Sequence, residues 1–145
     1  MTTRSILLVD DDEGDVFLTT RALQHGGLAG DLHHCCNGRE ALAFLRREEP
    51  YIDAPRPSLV LLDLNMPIMD GRETLAAMKA DLDLRTIPVV VLTTSDAEEE
   101  RIRSQELQAA CHVRKPSDLR QFTRLVMAIK CLWLPMPDEE PVPAP

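Results

Sequence analysis

The sequence lacks a run of about 18 apolar residues, the length a helix needs to cross a bilayer. Its opening, MTTRS, leads into a short apolar stretch that meets Asp10, Asp11 and Asp12 at once, unlike a secretory signal. No membrane contact is expected, and a cytoplasmic location follows by elimination. No Cys-x-x-Cys pair occurs: Cys35 and Cys36 are adjacent, while Cys111 and Cys131 stand alone. Free cysteines of this kind are expected to pack as small buried hydrophobes. His33-His34-Cys35-Cys36 has ligand chemistry, but neighbours in a strand point to opposite faces. Only alternate members could share a zinc ion, so no site is assigned there. Basic clusters are missing too. Lys and Arg number 16 against 24 Asp and Glu, a net charge of −8, and binding to a phosphate backbone needs the reverse. Nucleic acid is not an expected partner.

What is present suffices for one core. The 145 residues are 44% hydrophobic, too apolar for a disordered chain. A chain near this length buries roughly 68–70% of its unfolded surface, so neither a disulfide nor zinc is needed. Ser5-Ile6-Leu7-Leu8-Val9, Leu59-Val60-Leu61-Leu62 and Val89-Val90-Val91-Leu92 are continuous β-prone runs. Strands apolar on both faces suit a parallel sheet covered by helices. Leu32 to Cys36 and Cys111-His112-Val113 are mixed in polarity and are expected nearer the sheet edges.

Helical periods fill the gaps. Val16, Phe17, Thr20 and Leu23 mark a first helix that Gly26-Gly27 stops. Ala41, Leu42, Phe44 and Leu45 mark a second, closed by Pro50, and Leu75, Ala76 and Met78 a third. Asp96 is an expected N-cap for a fourth, with Glu98, Glu99 and Glu100 in its first turn. Ser117 or Asp118 caps the last, from about Leu119 to Leu132. The order is βα repeated five times, an α/β domain with right-handed crossovers. Glu49 to Ser58 reads as a proline-stiffened loop. Residues 135–145 hold five prolines and no apolar period, and are expected to be a disordered or extended tail beyond a domain spanning 1–134.

In an open parallel sheet, ligands bind outside the carboxyl ends of the strands. Those ends here are Asp10-Asp11-Asp12, Asp63-Leu64-Asn65, Thr93-Thr94-Ser95 and Lys115-Pro116. Carboxylates, a hydroxyl and an ammonium thus converge on one rim. Close carboxylates repel, and a hard dication relieves that cost; Mg²⁺ takes about six oxygen ligands and keeps several waters. Beside such a metal, Asp63 is placed as a nucleophile that could carry an acyl phosphate, with Lys115 and Thr93 contacting phosphoryl oxygens.

The motifs Leu7-Leu8-Val9-Asp10-Asp11, Leu61-Leu62-Asp63-Leu64-Asn65-Met66-Pro67-x-Met69-Asp70-Gly71, Val91-Leu92-Thr93 and Val113-Arg114-Lys115-Pro116 resemble the receiver domain of two-component response regulators, the CheY-like family. The likeness runs from about Ser5 to Leu132. It implies a flavodoxin-like, doubly wound parallel sheet in the order 2-1-3-4-5. It implies that Asp63 accepts a phosphoryl group from the phosphohistidine of a sensor histidine kinase. Mg²⁺ would be held by Asp11, Asp63 and the backbone carbonyl of Asn65, with Asp10 acting through water. Lys115 and Thr93 would meet the phosphoryl group, Thr93 as the switch. Asn65 and Ser95 would tune dephosphorylation, and Lys115-Pro116 would be cis. At the position where receivers usually carry a switch aromatic stands His112, smaller than a benzene ring and titrating near neutrality.

The loop Tyr51-Ile52-Asp53-Ala54-Pro55-Arg56-Pro57, the triplet Thr93-Thr94-Ser95 and the end Leu132-Trp133-Leu134 resemble the small single-domain regulators that partner bacterial phytochromes. That likeness implies a bacteriophytochrome as phosphodonor, with a histidine kinase that does not sense light as the alternative. No output domain is expected after the receiver. Phe122, Leu125, Val126, Met127, Ala128, Ile129, Cys131, Leu132, Trp133 and Leu134 exceed the single stripe that covers a sheet, and a homodimer through the last helix is expected. Two other classes stay open. A haloacid-dehalogenase-type phosphohydrolase would want a second carboxylate where Asn65 stands and a cap insertion; a phosphorylation-independent binding module would not need Asp11, Asp63, Thr93 and Lys115 together.

Overall fold

The computed structural model describes residues 5–28, 31–93, 111–115 and 118–133, with the side chains of 93, 111, 112, 114, 119, 122, 132 and 133 excepted. The strands are β1 (Ser5–Val9), β2 (Asp31–Cys35), β3 (Leu59–Asp63), β4 (Val89–Thr93) and β5 (Cys111–Arg114). The helices are α1 (Glu13–His25), α2 (Gly38–Leu45), α3 (Gly71–Ala80) and α4 (Leu119–Trp133). The helix expected to start at Asp96 lies outside the described residues, as does the tail.

All the strand pairings are parallel, and the sheet order is β2-β1-β3-β4-β5. This is the doubly wound α/β fold that the motifs implied. The residues of β1, β3 and β4 divide between two cores by strict alternation, the period-2 consequence of the pleat. Leu7, Val9, Val60, Leu62, Val89 and Val91 pack on one face with Ala41, Phe44 and Leu45 of α2 and Leu75 and Met78 of α3. Ile6, Leu8, Leu59, Leu61, Val90 and Leu92 pack on the other with Ala22 and Leu23 of α1 and Leu125 and Ile129 of α4. The continuous apolar runs are therefore those of strands covered twice. The two mixed strands are the edges.

Local chemistry sets the helix ends. Asp12 caps α1, its carboxylate accepting from the Asp15 N–H at 3.0 Å. Asn37 caps α2 through the Glu40 N–H. Asp70 and Glu73 form a reciprocal capping box on α3. Of the two candidates for α4, Asp118 accepts from the Gln121 N–H at 3.0 Å, while Ser117 lies outside the described residues.

The residues that mark the helices do not all face the core, and the expectations for the end of α2 and for the cysteines need correction. Phe17 is 61% exposed, because the core-facing stripe of α1 is Thr19, Ala22 and Leu23. Ala76 is likewise exposed, and Thr74 takes the buried place on α3. Helix α2 ends at Leu45, short of Pro50. Among the described cysteine side chains only Cys35 is buried as a small hydrophobe; Cys36 lies past the end of β2 and Cys131 on the outer side of α4, both exposed. Burial pushes the Cys35 thiol up to about 12 against the opposing hydrogen bond with Tyr51, so it is chemically quiet.

The proline-rich loop is tied down. Arg47 Nε donates to the Ala54 carbonyl at 2.9 Å, and Arg56 donates to the Asp83 carbonyl at 2.7 Å and to Thr86 Oγ1 at 3.1 Å. Tyr51 stacks at a tilt on Phe44, which meets His33 in turn. Among the described residues, no helix is long and apolar enough to cross a membrane.

Candidate functional site

The chain leaves β1 toward the β2 edge and leaves β3 toward β4, so the crevice between the ends of β1 and β3 is where the strand order reverses. Asp10 follows β1 and Asp63 ends β3. Both are buried, at 0% and 2% exposure, whereas Asp11 is exposed. Carboxylate oxygens of Asp10, Asp11 and Asp63 all lie within 4.8 Å of one another. The close approach follows from topology, since β1 and β3 are adjacent and end level, Val9 opposite Leu62.

Backbone contacts hold these carboxylates in place. The Asp10 N–H donates to the Cys35 carbonyl at 3.0 Å, and His34 Nε2–H donates to the Asp10 carbonyl at 2.7 Å. Asp10 Oδ1 accepts from the Asp12 N–H, and Asp63 Oδ1 from the Asn65 N–H at 3.3 Å. Gly71, at the start of α3, donates its N–H to the Leu64 carbonyl at 3.0 Å, which draws α3 against the end of β3.

Lys115, just past β5, reaches across the sheet. Its Nζ stands 3.1 Å from Asp63 Oδ2, 3.3 Å from Asp10 Oδ2 and 2.7 Å from Asp15 Oδ2. Burial alone would lower its pKa, but Asp15, Asp63 and Asp10 outweigh it and the net shift is upward, so the ammonium is fixed in charge. Asp63 moves the other way from an ordinary carboxylate. Burial pushes it up to about 6, with Lys115 opposing and Asp10 adding to the rise. Asp10 is also raised, chiefly by burial. One ammonium does not neutralise so many carboxylates.

Asp10 Oδ2 is buried and makes no hydrogen bond, the Lys115 ammonium being an ion-pair neighbour only. A buried carboxylate oxygen without a donor, facing two further carboxylates, fits a hard divalent cation.

Sequence reasoning gathered Asp10, Asp11, Asp63, Asn65 and Lys115 correctly at one rim. It missed Asp15, which makes the shortest contact to Lys115. It missed His34 as well. An acidic residue in a first helical turn reads as complementing the helix dipole, and only the fold brings it to Lys115. Thr93 ends β4, with its backbone opposite Arg114. The Thr93 and His112 side chains, Ser95 and the Lys115-Pro116 peptide lie outside the described residues.

The response regulator receiver domain family model matches residues 6–127. Response regulator Rcp1 of Synechocystis sp. is 43% identical over 129 residues, covering 89% of this chain and 88% of that protein. A crystal structure of the Mn²⁺-bound form of Rcp1 superposes with a TM-score of 0.77 at 40% identity, over 96% of this chain and 99% of that one. The phosphorylated cyanobacterial phytochrome response regulator RcpA gives 0.80 at 39% identity, over 94% and 98%. The bacteriophytochrome response regulator RtBRR gives 0.82 at 34% identity, over 98% and 86%.

Proposed function

The chain belongs to the response regulator receiver domain family, and on that premise we propose that it takes a phosphoryl group on Asp63 from a phytochrome-type sensor histidine kinase. Acceptance of a phosphoryl group on an aspartate is the general function of this family, and its similarity to Rcp1, RcpA and RtBRR is to stand-alone regulators of phytochrome signalling. The choice of donor rests on what RcpA and RtBRR are called and on the resemblance carried by the loop Tyr51 to Pro57. A histidine kinase that does not sense light is the alternative donor.

The observation that carries this reading is the meeting of Asp63 with Asp10, Asp11 and Lys115 at the switch point. A carboxylate oxygen of Asp63 attacks the phosphorus, the bond to the donor's imidazole nitrogen breaks, and an acyl phosphate forms. At neutral pH the Asp63 carboxyl is ionised and ready as a nucleophile. Its two oxygens are held apart in role, one by the Asn65 N–H and one by Lys115. The Lys115 ammonium stands where it can neutralise charge on the incoming group. Asp11, Asp63 and the Asn65 carbonyl would hold Mg²⁺, with Asp10 holding its waters. When bound, that ion neutralises phosphoryl charge and offsets carboxylate repulsion. Thr93 and His112 are assigned to the switch, Asn65 and Ser95 to the lifetime of the phosphoryl group, and Pro116 to the cis bond. The same machinery is assigned self-phosphorylation from a small phosphodonor and autodephosphorylation.

Output is assigned to the receiver's own surface. Leu125 and Ile129 of α4 are fully buried, yet Met127 is 59% exposed and Cys131 is exposed on the same helix. A homodimer through α4 uses this surplus; a monomeric mass at micromolar concentration, with and without beryllofluoride, contradicts it. The donor is tested by incubating the protein with phosphorylated kinases of phytochrome and other types. Rapid transfer from the phytochrome type to wild type, and none to Asp63→Asn, is expected. Transfer that survives Asp63→Asn overturns the assignment.

A further inference from the structure

The nearest neighbour of the Lys115 ammonium is not a residue that ends a strand. Asp15, in the first turn of α1, meets Nζ at 2.7 Å, against 3.1 Å for Asp63 and 3.3 Å for Asp10. Asp15 stands outside the three-carboxylate set that could hold a metal. A cation on that set draws on the same Asp10 and Asp63 oxygens that Lys115 faces, and repels the ammonium as well. Among the described residues, only Asp15 then remains to hold it.

Resting on the reading of this rim as a cation and phosphoryl site, we propose that Asp15 is a positioning residue, tethering Lys115 at the mouth of the site. The tether keeps the ammonium off Asp10 and Asp63 far enough for a divalent cation to bind, and near enough to meet a phosphoryl group. The first turn of α1 is built to hold Asp15 still. Its N–H is bonded by Asp12 Oδ1 at 3.0 Å, and the N–H of Asp12 is bonded by Asp10 Oδ1 at 3.0 Å. The cap of α1 and the acidic site are thus one hydrogen-bonded chain that ends in the Asp15–Lys115 pair. Lys115 is 12% exposed and Asp15 33%, so the pair is sheltered from full screening by solvent.

The test is a double-mutant cycle read as Mn²⁺ affinity, from free-ion paramagnetic resonance, in wild type, Asp15→Asn, Lys115→Met and the double variant. Methionine keeps the packing of the lysine stem while removing the charge. With Lys115 in place, Asp15→Asn is expected to weaken Mn²⁺ binding about threefold or more, because the released ammonium settles on Asp10 and Asp63. In the Lys115→Met background the loss shrinks to under about 1.5-fold. Asp15→Glu restores most of the affinity. Equal losses in both backgrounds overturn the tether, since Asp15 then acts only as a distant negative charge. Labelling of wild type with acetyl phosphate separates the two claims. Label at Asp63 without the coupling overturns the tether alone, and coupling without label overturns the phosphoacceptor while the tether stands.

Discussion

A Cβ on Gly71 would overlap the backbone carbonyl oxygen of Asp63 and stand 2.8 Å from Leu64 Cα. The start of α3 is therefore pressed against the strand end that carries the central carboxylate. Gly71→Ala must push α3 away or shift Asp63. We expect a loss of about 1–3 kcal/mol in urea unfolding, the usual cost of overpacking a tight contact, together with weaker Mn²⁺ binding. A variant with wild-type stability and wild-type affinity contradicts this account of Gly71.

Divalent metal should stabilise the fold. A ligand that binds only the native state adds about 2.7 kcal/mol at a hundredfold excess over its dissociation constant. Melting in Mg²⁺ against chelator checks this, and Asp11→Asn with Asp63→Asn should abolish most of the rise. An unchanged melting temperature removes the metal from the site.

Asp63 also sets a pH dependence. Its folded pKa is about 6, above the ordinary 3.8, so the native state holds this proton more tightly than the unfolded chain. The group's contribution is fully present below about pH 4 and is lost as pH rises through about 6. In metal-free protein, Asp63→Asn should remove that loss, and the variant should be the more stable by on the order of 1–3 kcal/mol at pH 7.5 and nearly equal to wild type at pH 4. Urea unfolding at the two pH values checks the sign. A variant less stable at pH 7.5 contradicts it.

Ile68 sits beside the site at φ 70°, a left-handed conformation that is costly for a β-branched side chain. It is 68% exposed, so little packing is lost on replacement. Ile68→Asn should raise stability by about 1 kcal/mol, since Asn tolerates this region. Thermal unfolding reads the change, and a lower melting temperature contradicts the strain.

What the sequence made legible follows from burial. The strand β1 was readable to the residue because Ile6, Leu7, Leu8 and Val9 are covered on both faces and form an unbroken apolar run. Asp10 and Asp63 were readable because a strand end followed by acid is a local pattern. Phe17 marks α1 correctly but does not face the core, since an apolar residue in a helical period gives no sign of which stripe turns inward; it lies under the Arg21 guanidinium at 5.7 Å. Asp15 and His34 were missed for a different reason. Their roles exist only across elements, one reaching Lys115 a hundred positions away and the other reaching Asp10 from the edge strand. Gly71 stands in the motif that runs on from Asp63, but its steric cause needs the helix and strand in place.

Reduction of the acyl phosphate tests the central claim most directly. Borohydride converts an aspartyl phosphate to homoserine, which peptide mass spectrometry locates in the chain. After incubation with acetyl phosphate and Mg²⁺, the account predicts homoserine at position 63 and nowhere else, and none in protein treated without a phosphodonor. Homoserine at another aspartate, or none at 63 in folded, metal-bound protein, would contradict it.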